Sequence, residues 1–90
     1  MTVRHSIVSG RFEKKLKKFV SLHPELREVI IEIVDELLID PLSRKYKSHK
    51  LSWVLQGCFG ASINSSYRIT YAFDKNNVYF LNIGSHDDVY

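Results

Sequence analysis

The spacing of the apolar residues changes at Pro41, and this change constrains the fold of the 90-residue chain more than any other feature. From Ser9 to Asp40, apolar side chains recur every three or four residues, which is typical of amphipathic helices. Beyond Lys50 they occur in short or alternating runs separated by small polar residues, which is typical of strands. A helical half followed by a strand half predicts an α+β domain.

Two helices are predicted in the first half of the chain. Ser9 suits the N-cap of the first helix, and Pro24 suits the first turn of the second, which Asp40 and Pro41 end. The apolar stripe of the first helix consists of Phe12, Leu16, Phe19 and Val20. That of the second consists of Leu26, Val29, Ile30, Ile33, Val34, Leu37 and Leu38. Each stripe would face a common core, since the polar residues lie on the opposite side of each helix.

Four strands are predicted around these helices. A short strand over residues 3–7 precedes the first helix, and strands over residues 54–63, 67–73 and 78–83 follow the second. Turn residues join the last three strands as antiparallel neighbours. The expected fold is β-α-α-β-β-β, with two N-terminal helices packed on a mainly antiparallel four-stranded sheet in a single domain spanning residues 1–90. We expect the sheet face opposite the helices to stay open for a ligand.

The charges of the chain are unevenly distributed. The formal net charge is +3, but residues 24–40 carry six acidic side chains against Arg27 alone, so the rest of the chain carries a net +8. The first basic block contains Arg11, Lys14, Lys15, Lys17 and Lys18. The second contains Arg44, Lys45, Lys47 and Lys50. Such blocks attract polyanions, although a solvated helix face and a charged loop are the ordinary alternatives.

Several classes of protein are disfavoured by the composition. Cys58 is the only cysteine, so neither an internal disulfide nor a multi-cysteine zinc site can form. No apolar run approaches the roughly 20 residues of a membrane-spanning helix, and residues 1–10 lack the apolar centre of a secretion signal. We therefore expect a cytoplasmic protein that binds neither a membrane nor a small-molecule cofactor.

Three segments, taken in order, resemble one known family. They are Leu55-Gln56-Gly57, Tyr67-Arg68-Ile69-Thr70-Tyr71 and the ending Gly84-Ser85-His86-x-x-Val89-Tyr90. Together with the basic first helix, they resemble the RelE-type toxins of bacterial and archaeal toxin-antitoxin pairs. The resemblance implies a ribosome-dependent endoribonuclease that cuts mRNA in the ribosomal A site. It also implies a cognate antitoxin that holds the toxin inactive.

RNA cleavage of this kind requires a base, an acid and a cation. The 2′-hydroxyl attacks the adjacent phosphate once a base removes its proton, while a cation stabilises the phosphorane and an acid protonates the leaving oxygen. No metal is required in principle. His86 is the first candidate for proton transfer, since imidazole changes charge near neutral pH. His49 is the second, with an exposed loop histidine as the alternative. Arg68 is predicted to face away from the core and to fork onto the scissile phosphate, with a cross-strand surface charge as the alternative.

The remaining site predictions concern RNA binding. Tyr90 either packs as an anchor or stacks on an unpaired base, and the family resemblance favours stacking. Low-specificity phosphate contacts are assigned to the basic residues before the sheet, namely Arg44, Lys45, Lys47 and Lys50.

One stretch departs from the family pattern. Relatives in the YafQ branch carry histidine and aspartate on the strand before the turn, whereas residues 60–66 here offer Ser62 and other uncharged residues. The division of base and acid therefore stays open. Two other functions also stay open: a ParE-type toxin that poisons DNA gyrase without cutting RNA, and a non-catalytic basic RNA-binding module.

Overall fold

The computed structural model of the chain describes residues 3–51 and 57–85. The elements follow the order β1 (His5–Val8), α1 (Gly10–Leu22), a 3-10 turn (Pro24–Leu26), α2 (Arg27–Ile39), β2 (His49–Leu51), β3 (Cys58–Ser62), β4 (Tyr67–Phe73) and β5 (Asn77–Ser85). The predicted α+β architecture, with two helices on a mainly antiparallel sheet, is confirmed.

The sheet contains one strand more than predicted. Its order is β1-β5-β4-β3-β2, and every neighbouring pair is antiparallel except β1 with β5. The additional strand is β2, whose backbone pairs His49 with Gly60 and Leu51 with Cys58. Three residues at the end of a basic segment are too few to show an apolar alternation, so pairing with β3 defines this strand. Of the predicted strand 54–63, residues 54–56 lie outside the described part.

Both helices begin and end close to their predicted positions. The Ser9 hydroxyl accepts a hydrogen bond from the Phe12 amide at 3.1 Å and so caps α1, as predicted. Pro24 opens a 3-10 turn rather than the first turn of α2 itself, which begins at Arg27. Proline fits either geometry, because its fixed φ and missing amide hydrogen suit the first position of both helix types.

The core lies between the two helices and one face of the sheet. The buried apolar residues are Phe12, Phe19, Ile30, Ile33, Leu37, Ala61, Ile63, Ile69, Tyr71, Val78, Phe80 and Ile83. The predicted stripes supply every helical member of this set, and burial of each large apolar side chain contributes roughly 1.5–3 kcal/mol. Phe19 and Tyr67 pack edge to face with ring centroids 5.1 Å apart, which places the end of α1 against the start of β4.

The opposite face of the sheet differs from the expected open surface. Arg68 on β4 pairs with Ser62 on β3 and with Gly84 on β5. Thr70, two residues further along β4 and on the same face, pairs with Gly60. Thr70 is only 1% exposed, and both glycines are also buried. The expectation of an open face is therefore wrong at the centre of the sheet. Accessible surface remains at the end that carries the half-buried Arg68 and Ser62.

Candidate functional site

Residues 41–48, called here the basic connector, are held against the domain by hydrogen bonds to both helical and strand residues. The Tyr71 hydroxyl donates to the Pro41 carbonyl at 2.6 Å. The Ser43 hydroxyl donates to the Glu36 carboxylate at 2.7 Å. The Ser62 amide donates to the Tyr46 carbonyl at 2.8 Å. Because these bonds reach α2, β3 and β4, the connector has a defined position although it contains no helix or strand before β2.

The first of these bonds depends on a phenol that stays neutral. Burial raises the pKa of Tyr71; the Ser48 hydroxyl lowers it by less, and the nearby charge of Asp40 raises it slightly. The hydroxyl therefore keeps its proton well above neutral pH and remains a donor to Pro41. This bond ties the beginning of the basic connector to the middle of the sheet.

The turn between β3 and β4 is also fixed locally. The Asn64 carboxamide oxygen accepts hydrogen bonds from the Ser66 amide at 2.8 Å and from the Tyr67 amide at 2.9 Å. The Ile63 amide donates to the Tyr67 carbonyl at 2.9 Å. An asparagine that bonds the backbone two and three residues ahead stabilises a tight turn without glycine. This turn therefore leads directly into the strand that carries Arg68.

A pocket of about 660 Å³ lies between the basic connector and this turn. It is lined by Lys45, Tyr46, Lys47, Ser62, Ile63, Asn64, Ser65 and Arg68. Among these lining residues from the described part of the chain, three are cationic and none is acidic, so they concentrate positive potential and suit a phosphate group. Within it, Arg68 Nη1 donates a hydrogen bond to Ser62 Oγ at 3.1 Å.

The structure brings together three of the predicted site residues: Arg68, Lys45 and Lys47. Arg44 is exposed on the same connector, where its carbonyl accepts a hydrogen bond from the Lys47 amide at 3.1 Å, but it does not line the pocket. Lys47 itself adopts a φ of 55°, a left-handed conformation that is uncommon for a residue with a side chain.

Four predicted site residues remain, namely His49, Lys50, His86 and Tyr90. His49 and Lys50 lie on β2, where their backbones pair with Gly60 and Phe59. Gly60 is two residues before Ser62 on β3, so His49 occupies a register position close to the Ser62–Arg68 pair. His86 and Tyr90 lie outside the described residues, and their assigned roles stay predictions.

Ser62, Asn64 and Ser65 are not among the residues predicted for the site. Ser62 reaches Arg68 because the β3–β4 register places the two opposite each other. The alternation of side chains along residues 58–62 indicates which residues share a face with Ser62. It does not indicate which β4 residue lies opposite Ser62, because the β3–β4 register also depends on the length of the turn. The sequence alone therefore could not predict the contact between Ser62 and Arg68.

A second basic surface lies on α1. Gly10, Arg11, Lys14, Lys15 and Lys18 line a shallow groove of about 610 Å³. Lys15 is held in place, since its Nζ donates to the Asn82 carboxamide oxygen at 2.5 Å. Because α1 packs on the Tyr67 face and Arg68 belongs to the opposite face, this groove and the Arg68 pocket are separate surfaces.

Two further findings concern residues 3–51 and 57–85 only. No helix in these ranges is long and apolar enough to cross a membrane. The same ranges contain no group of three or more histidine, cysteine, aspartate or glutamate side chains arranged to hold a metal ion.

Solved structures with the same fold include several bacterial toxins. The crystal structure of YafQ from E. coli strain BL21(DE3) is 22% identical with a TM-score of 0.79, and the match covers 97% of this chain and 98% of that one. The YoeB/ParE toxin from Agrobacterium tumefaciens is 12% identical with a TM-score of 0.81, over 91% of this chain and 98% of that one. YafQ in the E. coli DinJ-YafQ complex is 23% identical with a TM-score of 0.77, over 97% and 98%.

Comparison with curated protein sequences gives no match. In contrast, the family model for YafQ, described as a bacterial toxin of the type II toxin-antitoxin system, matches residues 4–90. That match spans both helices, the whole sheet and the basic connector. The chain therefore belongs to the YafQ family of bacterial toxins of type II toxin-antitoxin systems.

Proposed function

We propose that this toxin is a ribosome-dependent endoribonuclease that cleaves mRNA in the ribosomal A site and thereby inhibits translation in the cytoplasm. The observation that carries the proposal is the pocket around Arg68, where the lining residues within 3–51 and 57–85 include Lys45 and Lys47 and no acidic side chain. A guanidinium beside two ammonium groups suits a phosphodiester that gains negative charge during cleavage. Membership of the toxin family supports the same reading.

The proposed reaction uses a nucleophile that RNA itself supplies. A base removes the proton of the 2′-hydroxyl, and the resulting oxygen forms a bond to the adjacent phosphorus. The bond between phosphorus and the 5′-oxygen breaks, and an acid delivers a proton to that oxygen. The products are a 2′,3′-cyclic phosphate and a free 5′-hydroxyl. Arg68 would stabilise the phosphorane, which carries more charge than the substrate does.

His86 and His49 remain the candidates for proton transfer, with Tyr90 stacking on a base. The placement of Ser85 supports the assignment of His86 as a proton-transfer residue. Ser85 directly precedes His86 in the sequence and pairs with Tyr67, the residue before Arg68. The register of His49, next to the row of Ser62 and Arg68, supports the second candidate. The proposal leaves open which histidine acts as base and which as acid.

Cleavage on programmed ribosomes tests this function. Purified toxin is mixed with ribosomes that carry a defined mRNA, and the new 5′ ends are mapped by primer extension. We expect cuts at the A-site codon, loss of those cuts in Arg68→Ala, and normal cutting in Lys75→Ala, whose exposed side chain lies in the β4–β5 turn. A message that stays intact for every codon placed in the A site contradicts the proposal.

The second proposed partner is a cognate antitoxin. The DinJ-YafQ structure contains a toxin of this family together with its antitoxin, which supports the same kind of complex here. An acidic or amphipathic antitoxin segment would complement the Arg68 pocket and so block RNA. Co-expression with the product of the adjacent reading frame tests this idea: we expect a stable complex that no longer cuts mRNA. Failure of every neighbouring product to bind or inhibit the toxin counts against it.

A gyrase poison is the second candidate function, because one structural relative is described as a YoeB/ParE toxin. A DNA supercoiling assay separates the two functions. Inhibition of gyrase together with an intact mRNA favours this candidate, whereas normal supercoiling together with cleaved mRNA favours the nuclease. RNA binding with neither effect indicates a non-catalytic module.

A further inference from the structure

We propose that Ser62 is a positioning residue that holds the Arg68 guanidinium in the orientation required to bind the scissile phosphate. The inference rests on the proposed function, because it concerns the same pocket.

The backbone fixes Ser62 before its side chain acts. Ser62 and Arg68 are direct partners in the β3–β4 ladder. The Ser62 amide, at the end of β3, also donates to the Tyr46 carbonyl of the basic connector at 2.8 Å. Ser62 is therefore attached both to the strand that carries Arg68 and to the segment that carries Lys45 and Lys47.

The side chain of Ser62 then restrains the arginine. Its hydroxyl oxygen accepts a hydrogen bond from Arg68 Nη1 at 3.1 Å. A guanidinium is planar, so fixing one of its nitrogens together with the strand-borne stem limits the rotation of the whole fork. Ser62 engages one of the five N–H donors that a guanidinium carries.

The chemical type of the partner matters as much as the contact. A carboxylate at position 62 would orient the arginine but would also neutralise its charge and accept the donors that a phosphate needs. A serine hydroxyl orients the guanidinium and leaves its positive charge intact. Such an arrangement prepares the cation for the charge that develops in the transition state, which is where electrostatic catalysis acts.

The first test compares five variants on programmed ribosomes. In Ser62→Ala we expect kcat to fall by roughly 10- to 100-fold, the range for a misplaced catalytic group, with little change in KM. Ser62→Thr keeps the hydroxyl and should restore most of the rate. Ser6→Ala, a serine-to-alanine change in the exposed strand β1, should cut at the normal rate. In an Arg68→Lys background, Ser62→Ala should produce no further loss, because a lysine has no fork to orient.

The second test needs no ribosome and no cleavage. The Arg68 Nε–Hε resonance is followed by NMR while inorganic phosphate is added to the free toxin. We expect a saturable shift whose apparent affinity is about 10-fold weaker in Ser62→Ala, as expected when one charged hydrogen bond no longer orients the donor, and near normal in Ser62→Thr. Dispersion of the amide spectrum reports whether each variant is folded.

The outcomes separate the two proposals. If the wild-type toxin cuts no RNA but the phosphate shift depends on Ser62, the positioning role stands and the nuclease function fails. If the toxin cuts RNA and folded Ser62→Ala cuts at the wild-type rate, the positioning role is overturned. It is equally overturned if Ser62→Ala reduces the rate by the same factor with arginine or lysine at position 68, because the effect would then be structural.

Discussion

Arg68 is the residue on which the candidate site depends, and its environment explains why an arginine is suited to it. It is half-buried on β4, it contacts Ser62, and it shares a pocket with two lysines. Lysine would keep the charge, but it would lose the planar pair of donors that can engage two phosphate oxygens. Charge and geometry can therefore be separated experimentally at this position.

Arg68→Lys is expected to lower the single-turnover cleavage rate by roughly 10²- to 10³-fold, the usual effect of removing one donor aimed at developing charge. The thermal midpoint of unfolding should stay close to that of the wild type, since lysine fits the same half-buried position. The rate is measured on programmed ribosomes at saturating toxin. Cleavage by Arg68→Lys at the wild-type rate would show that only the charge matters.

Asp74 determines part of the response of stability to acid. Its carboxylate accepts a hydrogen bond from the Tyr79 hydroxyl at 2.6 Å and from the Asn76 and Asn77 amides at 2.9 and 2.8 Å. These bonds, that from Tyr79 foremost, hold the pKa of Asp74 below the ordinary aspartate value of 3.8. The contribution to stability is therefore complete above that value and is lost as the pH falls through the lower, folded-state pKa.

Asp74→Asn should accordingly flatten the dependence of the free energy of unfolding on pH below about 4, the range of an unperturbed carboxyl. Urea unfolding of both proteins at a series of acidic pH values measures this slope. The carboxylate is exposed, so the effect will be modest. Parallel pH profiles for the two proteins would show that Asp74 has the same proton affinity in the folded and unfolded chains.

At the scale of elements, the basic connector is positioned by contacts that no local pattern contains. Its beginning depends on the Tyr71 hydroxyl, which donates to Pro41 from a fully buried position on β4. Residues 41 and 71 are distant in sequence and meet only when the sheet has formed. The connector therefore carries its lysines to the pocket as a consequence of tertiary structure.

Tyr71→Phe should destabilise the chain by about 1 kcal/mol, the typical cost of one buried hydrogen bond. It should also speed hydrogen exchange at the connector amides of Ser43 and Lys47, which donate to the carbonyls of Asp40 and Arg44. Exchange at the His5 amide on β1, which donates to the Asn76 carbonyl at 2.9 Å, serves as the internal control. If protection of the connector does not change, the Tyr71 bond does not hold it.

The helices and most strands follow from the sequence because their signals are local. The stripes of α1 and α2 coincide with the buried faces, and Ser9 caps α1 as its position suggests. Strand β2 is too short to show a pattern, and Thr70 is buried on a face that the alternation predicts to be open. Similarly, the alternation of side chains along residues 67–73 predicts that Arg68 faces away from the core. Its contact with Ser62 follows only from the register between β3 and β4.

At the scale of the whole molecule, the charges divide into distinct surfaces. The acidic residues concentrate in residues 24–40, whereas the cations gather around the Arg68 pocket and along the α1 groove. A long polyanion would therefore meet two attractive surfaces and one repulsive helix. This distribution predicts that the α1 groove adds affinity for RNA without taking part in the chemistry.

Reversing two charges in the groove, Lys14→Glu with Lys18→Glu, should weaken ribosome binding and reduce the slope of log affinity against log salt by about one for each lost phosphate contact. The cleavage rate at saturation should stay near normal. Lys75→Glu, a reversal in the exposed β4–β5 turn, provides the charge control. If ribosome binding weakens by the same factor per reversed charge in the groove variant and in Lys75→Glu, only the net charge of the toxin matters.

The central claim is that RNA is cut by its own 2′-hydroxyl beside Arg68, and the chemical identity of the new ends tests it most directly. Cleaved mRNA from programmed ribosomes can be analysed by mass spectrometry of the end-labelled fragments. The account predicts a 2′,3′-cyclic phosphate on one fragment, a 5′-hydroxyl on the other, and neither product with Arg68→Ala. A 3′-hydroxyl paired with a 5′-phosphate, or unchanged products from Arg68→Ala, would contradict it.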